Sequence, residues 1–173
     1  LDIAKNSLLV NLRFMNAAFS RLKPFPIIGA TLATDGTYLR YDPQTLAQLY
    51  ANDQAELTRT YLHMVLHNVF LHLYPGAHTD DELWDCACDI VVELAMSDLN
   101  LPALTSARVR HQSATAARIK AALPLVTAET LYRYLREQRE AGALTDADIR
   151  DMRAPFYADD HAVWHIMRVE EEA

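Results

Sequence analysis

From Leu83 to Met96 the chain reads LWDCACDIVVELAM, in which every residue is apolar or cysteine except Asp85, Asp89 and Glu93. At about 100° per residue, positions i, i+4 and i+8 put these three carboxylates on one stripe of an otherwise apolar helix. Like charges four apart disfavour a helix, and an unpaired carboxylate taken out of water costs more still. The stripe therefore demands something opposite it. A divalent cation would serve, as would an arginine such as Arg108 or Arg110, and protonation of one acid is a third way out. Cys86 and Cys88 are two apart on the same helix, so they diverge and read as small core residues.

The preceding helical segment carries a candidate partner. In Tyr61–His72 the residues His63 and His67 lie roughly 40° apart on one face and one turn apart in height. Two imidazoles in that relation can reach one tetrahedral ion. His72 falls about 140° from His67 on a continued helix and is expected to point elsewhere. Leu62, Leu66, Val69, Phe70 and Leu73 form the adjoining apolar arc. The pair alone reads more simply as two core or boundary histidines; the acidic stripe on the next helix is what favours a shared cation.

Around these two segments the pattern is mostly helical. Apolar positions at Ile3, Leu8, Leu12, Met15, Ala18, Phe19 and Leu22 predict one helix over residues 2–22, ended by Lys23-Pro24-Phe25-Pro26. Asp35-Gly36 between the β-prone runs 27–34 and 37–41 predicts a small hairpin. Asp42-Pro43 opens a short helix. The histidine helix is expected over residues 54–74, stopped by Pro75-Gly76, and the carboxylate helix from Thr79-Asp80-Asp81-Glu82 to about Asp98. Residues 99–128 read as less regular, with a basic island at Arg108, Arg110, Arg118 and Lys120. Thr127 and Thr145 cap two further helices, and Glu170–Glu172 read as a solvated end. The fold class expected is mostly α (α+β), a single domain over residues 1–173 with one hairpin near residues 27–41.

Charge and length narrow the function. A net charge of −7 argues against a nucleic-acid module, whose footprint is basic. No run approaches the ~18 uninterrupted apolar residues of a membrane span, and no basic-then-apolar leader opens the chain. The expectation is a cytoplasmic protein with no nucleic-acid or membrane partner. Leu rather than Met at position 1 suggests a piece of a longer chain.

Taken in order, Asp35-Gly36, Tyr41-Asp42-Pro43, the His63/His67 helix, Trp84-Asp85-x-x-x-Asp89, Ala128-Glu129-x-Leu131-Tyr132 and Asp159-Asp160-His161-x-x-Trp164 resemble the bacterial putative metallopeptidase domain. That is a zincin-like module that typically precedes a von Willebrand A-like domain. The resemblance runs over nearly the whole chain. It implies zinc held by His63 and His67, with Asp89 as third ligand. Asp85 and Glu93 would orient the ligands or serve as alternatives, and His161 would approach the site. It also implies a von Willebrand A-like domain of the same chain as partner, and a peptide or protein as what is bound. In zincins the motif is His-Glu-x-x-His, whose glutamate is the general base toward water. Here that position is Met64, which takes no proton. Loss of a positioned acid–base group costs about 10²–10⁴-fold in rate, so peptidase activity is expected to be lost or impaired. A metal-free interaction module with the same fold, and a hydrolase using another base, are the alternatives.

Overall fold

The computed structural model describes residues 1–76 and 79–166; the Glu170–Glu172 run lies outside them. Helices dominate: α1 (Asp2–Leu9), α2 (Asn16–Phe19), α3 (Pro43–Asn52), α4 (Gln54–Val69), α5 (Asp81–Asp98), α6 (Arg108–Ala122), α7 (Ala128–Glu140) and α8 (Asp146–Arg153). Between α2 and α3 lies a three-stranded sheet of β1 (Lys23–Pro26), β2 (Ala33–Thr34) and β3 (Tyr38–Tyr41), in the order β1-β3-β2. Residues 162–166 add a final helical turn. The mostly α (α+β) class is as the sequence indicates.

Helix α5 is the axis of the molecule. Asp80 caps it by accepting from Leu83 N at 3.1 Å, and Asp81 and Glu82 fill its first turn, where acids complement the exposed N–H groups. Its Val92 and Met96 join one apolar cluster with Leu8, Phe19, Leu39, Leu62 and Leu66. Its Leu83, Cys86, Ile90 and Leu94 join a second with Ile119, Leu131, Ile149 and Phe156. Both cysteines are free and fully buried. α4 packs on α5 through the first cluster, α7 and α8 through the second.

Several boundaries differ from the sequence expectation. The helix expected over residues 2–22 is broken into α1, a 3₁₀ turn at Arg13–Met15, and α2. Leu12 leaves helical geometry at φ −119°, ψ 45°, and the bend still buries Leu8, Leu12, Phe19 and Leu22. The hairpin is shorter than expected: only Ala33–Thr34 pairs antiparallel with β3, at Ala33↔Arg40 and Thr34↔Leu39. Lys23–Pro26, expected merely to stop a helix, instead pairs parallel with β3. Its two prolines are tolerated because β1 is an edge strand. At the turn, Asp35 Oδ1 accepts from Thr37 N (3.0 Å) and Tyr38 N (2.7 Å). Gly36 takes φ +87°, and a Cβ there would stand 3.1 Å from Asn68 Oδ1. The stretch 99–128 is more regular than expected, since α6 fills half of it.

The correction that matters most is the end of α4. It stops at Val69 rather than continuing to Tyr74. The stop is a Schellman arrangement: His72 N bonds to His67 O at 3.0 Å and Leu71 N to Asn68 O at 3.3 Å. Leu71 holds the left-handed position at φ 59°, where glycine is usual. A leucine there costs about 1–2 kcal/mol and gives no turn signal in the sequence.

Candidate metal centre

Helix periodicity brings the predicted residues of α4 and α5 face to face. His63 Nε2 stands 3.2 Å and His67 Nε2 3.5 Å from Asp89 Oδ1. A third element completes the group. After α8 the chain passes over the helix pair, and Asp159 Oδ1 lies 3.5 Å from His63 Nε2 and 3.8 Å from His67 Nε2. His161 Nε2 lies 3.2 Å from Asp89 Oδ1 and 3.6 Å from Asp159 Oδ1. One donor atom from each of His63, His67, Asp89, Asp159 and His161 falls within 4.8 Å of all the others, and all five residues are buried.

The sheet explains why the last two arrive there. Asp160 N bonds to Leu32 O at 2.7 Å, Thr31 Oγ1 to Asp160 Oδ2 at 3.0 Å, and the Trp164 indole N–H to Thr34 O at 2.8 Å. The Trp164 ring stacks on His161 at 3.6 Å between centroids. Docked on β2 and the turn before it, the 159–164 segment turns Asp160 outward and Asp159 and His161 inward.

Each imidazole also has a partner on its far nitrogen. His63 Nδ1 is 2.9 Å from Glu93 Oε1. His161 Nδ1 is 3.2 Å from Asp85 Oδ1 and equally far from Arg153 Nη2. His67 Nδ1 is 2.9 Å from His72 Nδ1. Asp85 and Glu93 thus touch the outer edges of imidazoles rather than the shared centre. Beyond them, His165 Nε2 reaches Asp85 Oδ2 at 3.2 Å.

The arginines facing the stripe are not the ones expected. Arg59, fully buried four residues before His63, places Nε 2.7 Å from Glu93 Oε2 and bonds Leu104 O and Ser97 Oγ at 3.0 Å each. Arg153 at the end of α8 donates to Asp89 Oδ2 at 2.6 Å and to Asp85 Oδ2 at 3.3 Å. Gln112 of α6 adds a 2.7 Å bond to Glu93 Oε2. Arg108 is instead engaged with Glu56 and only skirts Glu93 at 3.8 Å. No ion pair of Arg110 with the stripe occurs among the described residues.

A charge count tests whether a cation fits. Four buried carboxylates (Asp85, Asp89, Glu93 and Asp159) meet two guanidinium groups, Arg59 and Arg153, leaving two negative charges over. Either one divalent cation or two protonated imidazoles would balance them. Buried atoms with no hydrogen-bond partner among the described residues include His67 Nε2, His161 Nε2 and both oxygens of Asp159. Of these, His67 Nε2, His161 Nε2 and Asp159 Oδ1 face the shared centre, where ligation would satisfy them. The donor set, imidazole nitrogen with carboxylate oxygen and no sulfur, suits a divalent ion such as zinc.

Without a cation the protons do the balancing. Burial pulls the His63 imidazole down, but its bonds to Asp89 and Glu93 outweigh that and hold it at about 9. His161 is likewise depressed by burial and raised well above the ordinary histidine range by Asp89, Asp159 and Asp85. His67 goes the other way, to about 4, through burial and the neighbouring His63 charge. Burial would raise Asp89, yet His161, His63 and His67 keep it well below the carboxylate range.

Sequence reasoning missed Asp159, His72, Arg59 and Arg153. Asp159 had a faint signal, lying two residues from His161, so that extended backbone turns both side chains to one face. Met64 is buried in the apolar cluster with Leu62, Val65 and Val92. No helix among the described residues is long and apolar enough to cross a membrane. Among curated proteins and among solved structures, nothing matches the chain. One family profile does, over residues 4–167, and it spans the sheet, both site helices and the 159–164 segment. The chain belongs to the family described as the putative metallopeptidase domain.

Proposed function

We propose that this protein holds one divalent cation, zinc, in a zincin-like setting and that its peptidase chemistry is lost or impaired. The observation that carries the reading is the convergence of five buried donors from α4, α5 and the 159–164 segment on one point. His63, His67 and Asp89 would hold the ion, with Asp159 and His161 closing the shell; Asp85 and Glu93 would fix the orientation of His161 and His63. A bound zinc ion supplies Lewis acidity. What the chain lacks is the standard base, since Met64 occupies that position. Glu93 is a poor substitute, because its oxygens are already engaged by His63, Arg59 and Gln112.

Support for function as a binding rather than a cleaving module comes from the burial of all five donors. Structural ion sites are closed, whereas catalytic ones keep an open position. A cytoplasmic setting and a von Willebrand A-like domain in the same chain belong to this reading. The deciding experiment is metal analysis of protein purified without chelator or affinity tag. Near-stoichiometric zinc that disappears in His63→Ala is expected; substoichiometric metal unchanged by that substitution would overturn the reading.

A second reading, a metal-free interaction module, draws on the Arg153 guanidinium, which reaches Asp89 Oδ2 at 2.6 Å. Of the two Asp89 oxygens, Arg153 engages Oδ2 and leaves Oδ1 among the three imidazoles. The metal-bound reading therefore accommodates it.

A further inference from the structure

His72 belongs to neither the motif nor the five-donor group, yet it is 3 % exposed and its Nδ1 lies 2.9 Å from His67 Nδ1. Two imidazole nitrogens at that distance share one proton, and the tautomers are set by what the other nitrogens face. His67 Nε2 points at Asp89 Oδ1 and Asp159 Oδ1. With a cation among those oxygens, that nitrogen must present its lone pair. The His67 proton then sits on Nδ1, and His72 Nδ1 is its acceptor.

The backbone is bent to make this contact. On a continued helix His72 would point about 140° away from His67. The left-handed Leu71 at φ 59° ends α4 and returns the chain, while His72 N bonds back to His67 O at 3.0 Å. The His72 carbonyl is pinned by the Trp84 indole N–H at 2.8 Å, from the first turn of α5. An unfavourable backbone conformation held from both sides commonly marks a functional constraint.

We propose that His72 is a positioning residue for the cation: by accepting the Nδ1 proton of His67 it fixes the ring so that Nε2 faces the centre. The proposal rests on the metal-bound reading above. Among the three imidazoles His67 alone has a neutral far-side partner, whereas His63 and His161 have carboxylates. His72 thus orients its ligand without adding negative charge to a centre that one dication already balances.

The test pairs His72→Phe, which keeps a ring but removes the acceptor, with His72→Asn, whose amide oxygen stands about where Nδ1 does. Zn²⁺ affinity is measured by competition with a chromophoric chelator, and the stability of each chelator-treated protein by urea unfolding. Loss of an outer hydrogen-bond partner costs about 10–100-fold in metal affinity. That loss is expected in His72→Phe and its recovery in His72→Asn, with metal-free stability of the two variants alike. Wild-type affinity in His72→Phe would overturn the assignment alone, as would equal weakening in both variants that follows their stability. A wild-type protein that takes up no Zn²⁺ would overturn the metal-bound reading itself, and this one with it.

Discussion

His63 and Glu93 form the inner link of a buried chain: the imidazole Nδ1 meets Glu93 Oε1 at 2.9 Å, and Arg59 Nε meets Glu93 Oε2 at 2.7 Å. One carboxylate thus serves two roles, orienting the His63 imidazole and neutralising a guanidinium that is 1 % exposed. Removing it strands that guanidinium. Glu93→Met is expected to cost about 3–5 kcal/mol of stability, the usual result of breaking a buried pair from one side. Arg59→Met combined with Glu93→Met should cost clearly less than the two single effects added. Denaturant unfolding of the four proteins in chelator measures the coupling, and simple additivity would argue against the pairing.

Proton exchange should accompany cation uptake. In the metal-free protein His63 is held at about 9 and His161 well above the ordinary range, so both carry a proton at pH 7. The charge count is the same with two protons or with one dication. Binding at pH 7 is therefore expected to release about two protons, and Zn²⁺ affinity should climb as pH rises toward 9. Calorimetry in buffers of different ionisation enthalpy reads the number directly. The sign for stability is the reverse. Raised imidazoles stabilise the chelated fold fully below about 6.5 and lose that contribution as pH rises through about 9. Alkaline conditions should weaken the metal-free protein and spare the loaded one.

Met64 decides the catalytic question. The expected outcome is that the wild-type protein leaves unfolded protein substrates intact. Cleavage that is abolished by Asp89→Ala would overturn the impaired reading. Met64→Glu is less innocent than a motif repair suggests, because Met64 is 1 % exposed within an apolar cluster. Placing a carboxylate there should cost about 1–3 kcal/mol or more, so proteolysis assays on this variant need its unfolding curve beside them. Gain of proteolysis in a folded Met64→Glu protein would identify the site as a disarmed peptidase.

Leu71 offers a test of stored backbone strain. A left-handed leucine costs about 1–2 kcal/mol, and glycine there gives back about 0.5–1 kcal/mol through the freer unfolded chain. Leu71→Gly should therefore raise stability by up to about 1 kcal/mol, helped by the 63 % exposure of the leucine side chain. Leu71→Val should lower it, since a β-branched residue fits that backbone worst. Urea midpoints of the two variants measure the difference.

What the sequence could show depended on how local each signal was. His63, His67, Asp85, Asp89 and Glu93 were legible because helix periodicity converts spacing into a shared face, and two adjacent helices then need only pack. Periodicity failed where the helix stopped without glycine or proline, at Leu71, and so sent His72 to the wrong side. Asp159 and His161 come from a segment placed by hydrogen bonds to Leu32 and Thr34, which lie about 130 residues away in the chain; no local pattern encodes that docking. The same holds for Arg153, whose target on α5 is set by how α8 packs. The need for positive charge opposite the stripe is legible in the sequence, but which arginine meets it is not: Arg153 does, while Arg108 turns to Glu56.

The docked segment itself should respond to metal. Two of the five converging donors, Asp159 and His161, belong to it, and its remaining anchors are the bonds of Asp160 and Trp164 to Leu32 and Thr34 and the stack of Trp164 on His161. Helices α4 and α5, by contrast, are held by extensive apolar burial whether or not an ion is present. A cation would tie the segment to both helices, so chelation should lower its local opening free energy while barely touching α5. Amide hydrogen exchange on loaded and chelator-treated protein is expected to show faster exchange over residues 157–164 and the 31–34 stretch beneath them, with the centre of α5 unchanged. Trp164 reports the same event, because an indole buried to 1 % exposure and stacked on His161 should shift its emission to longer wavelength as it meets water. Identical exchange in the two states would mean that the segment is held by its sheet contacts alone. Asp159 and His161 would then sit beside the centre without being recruited to it.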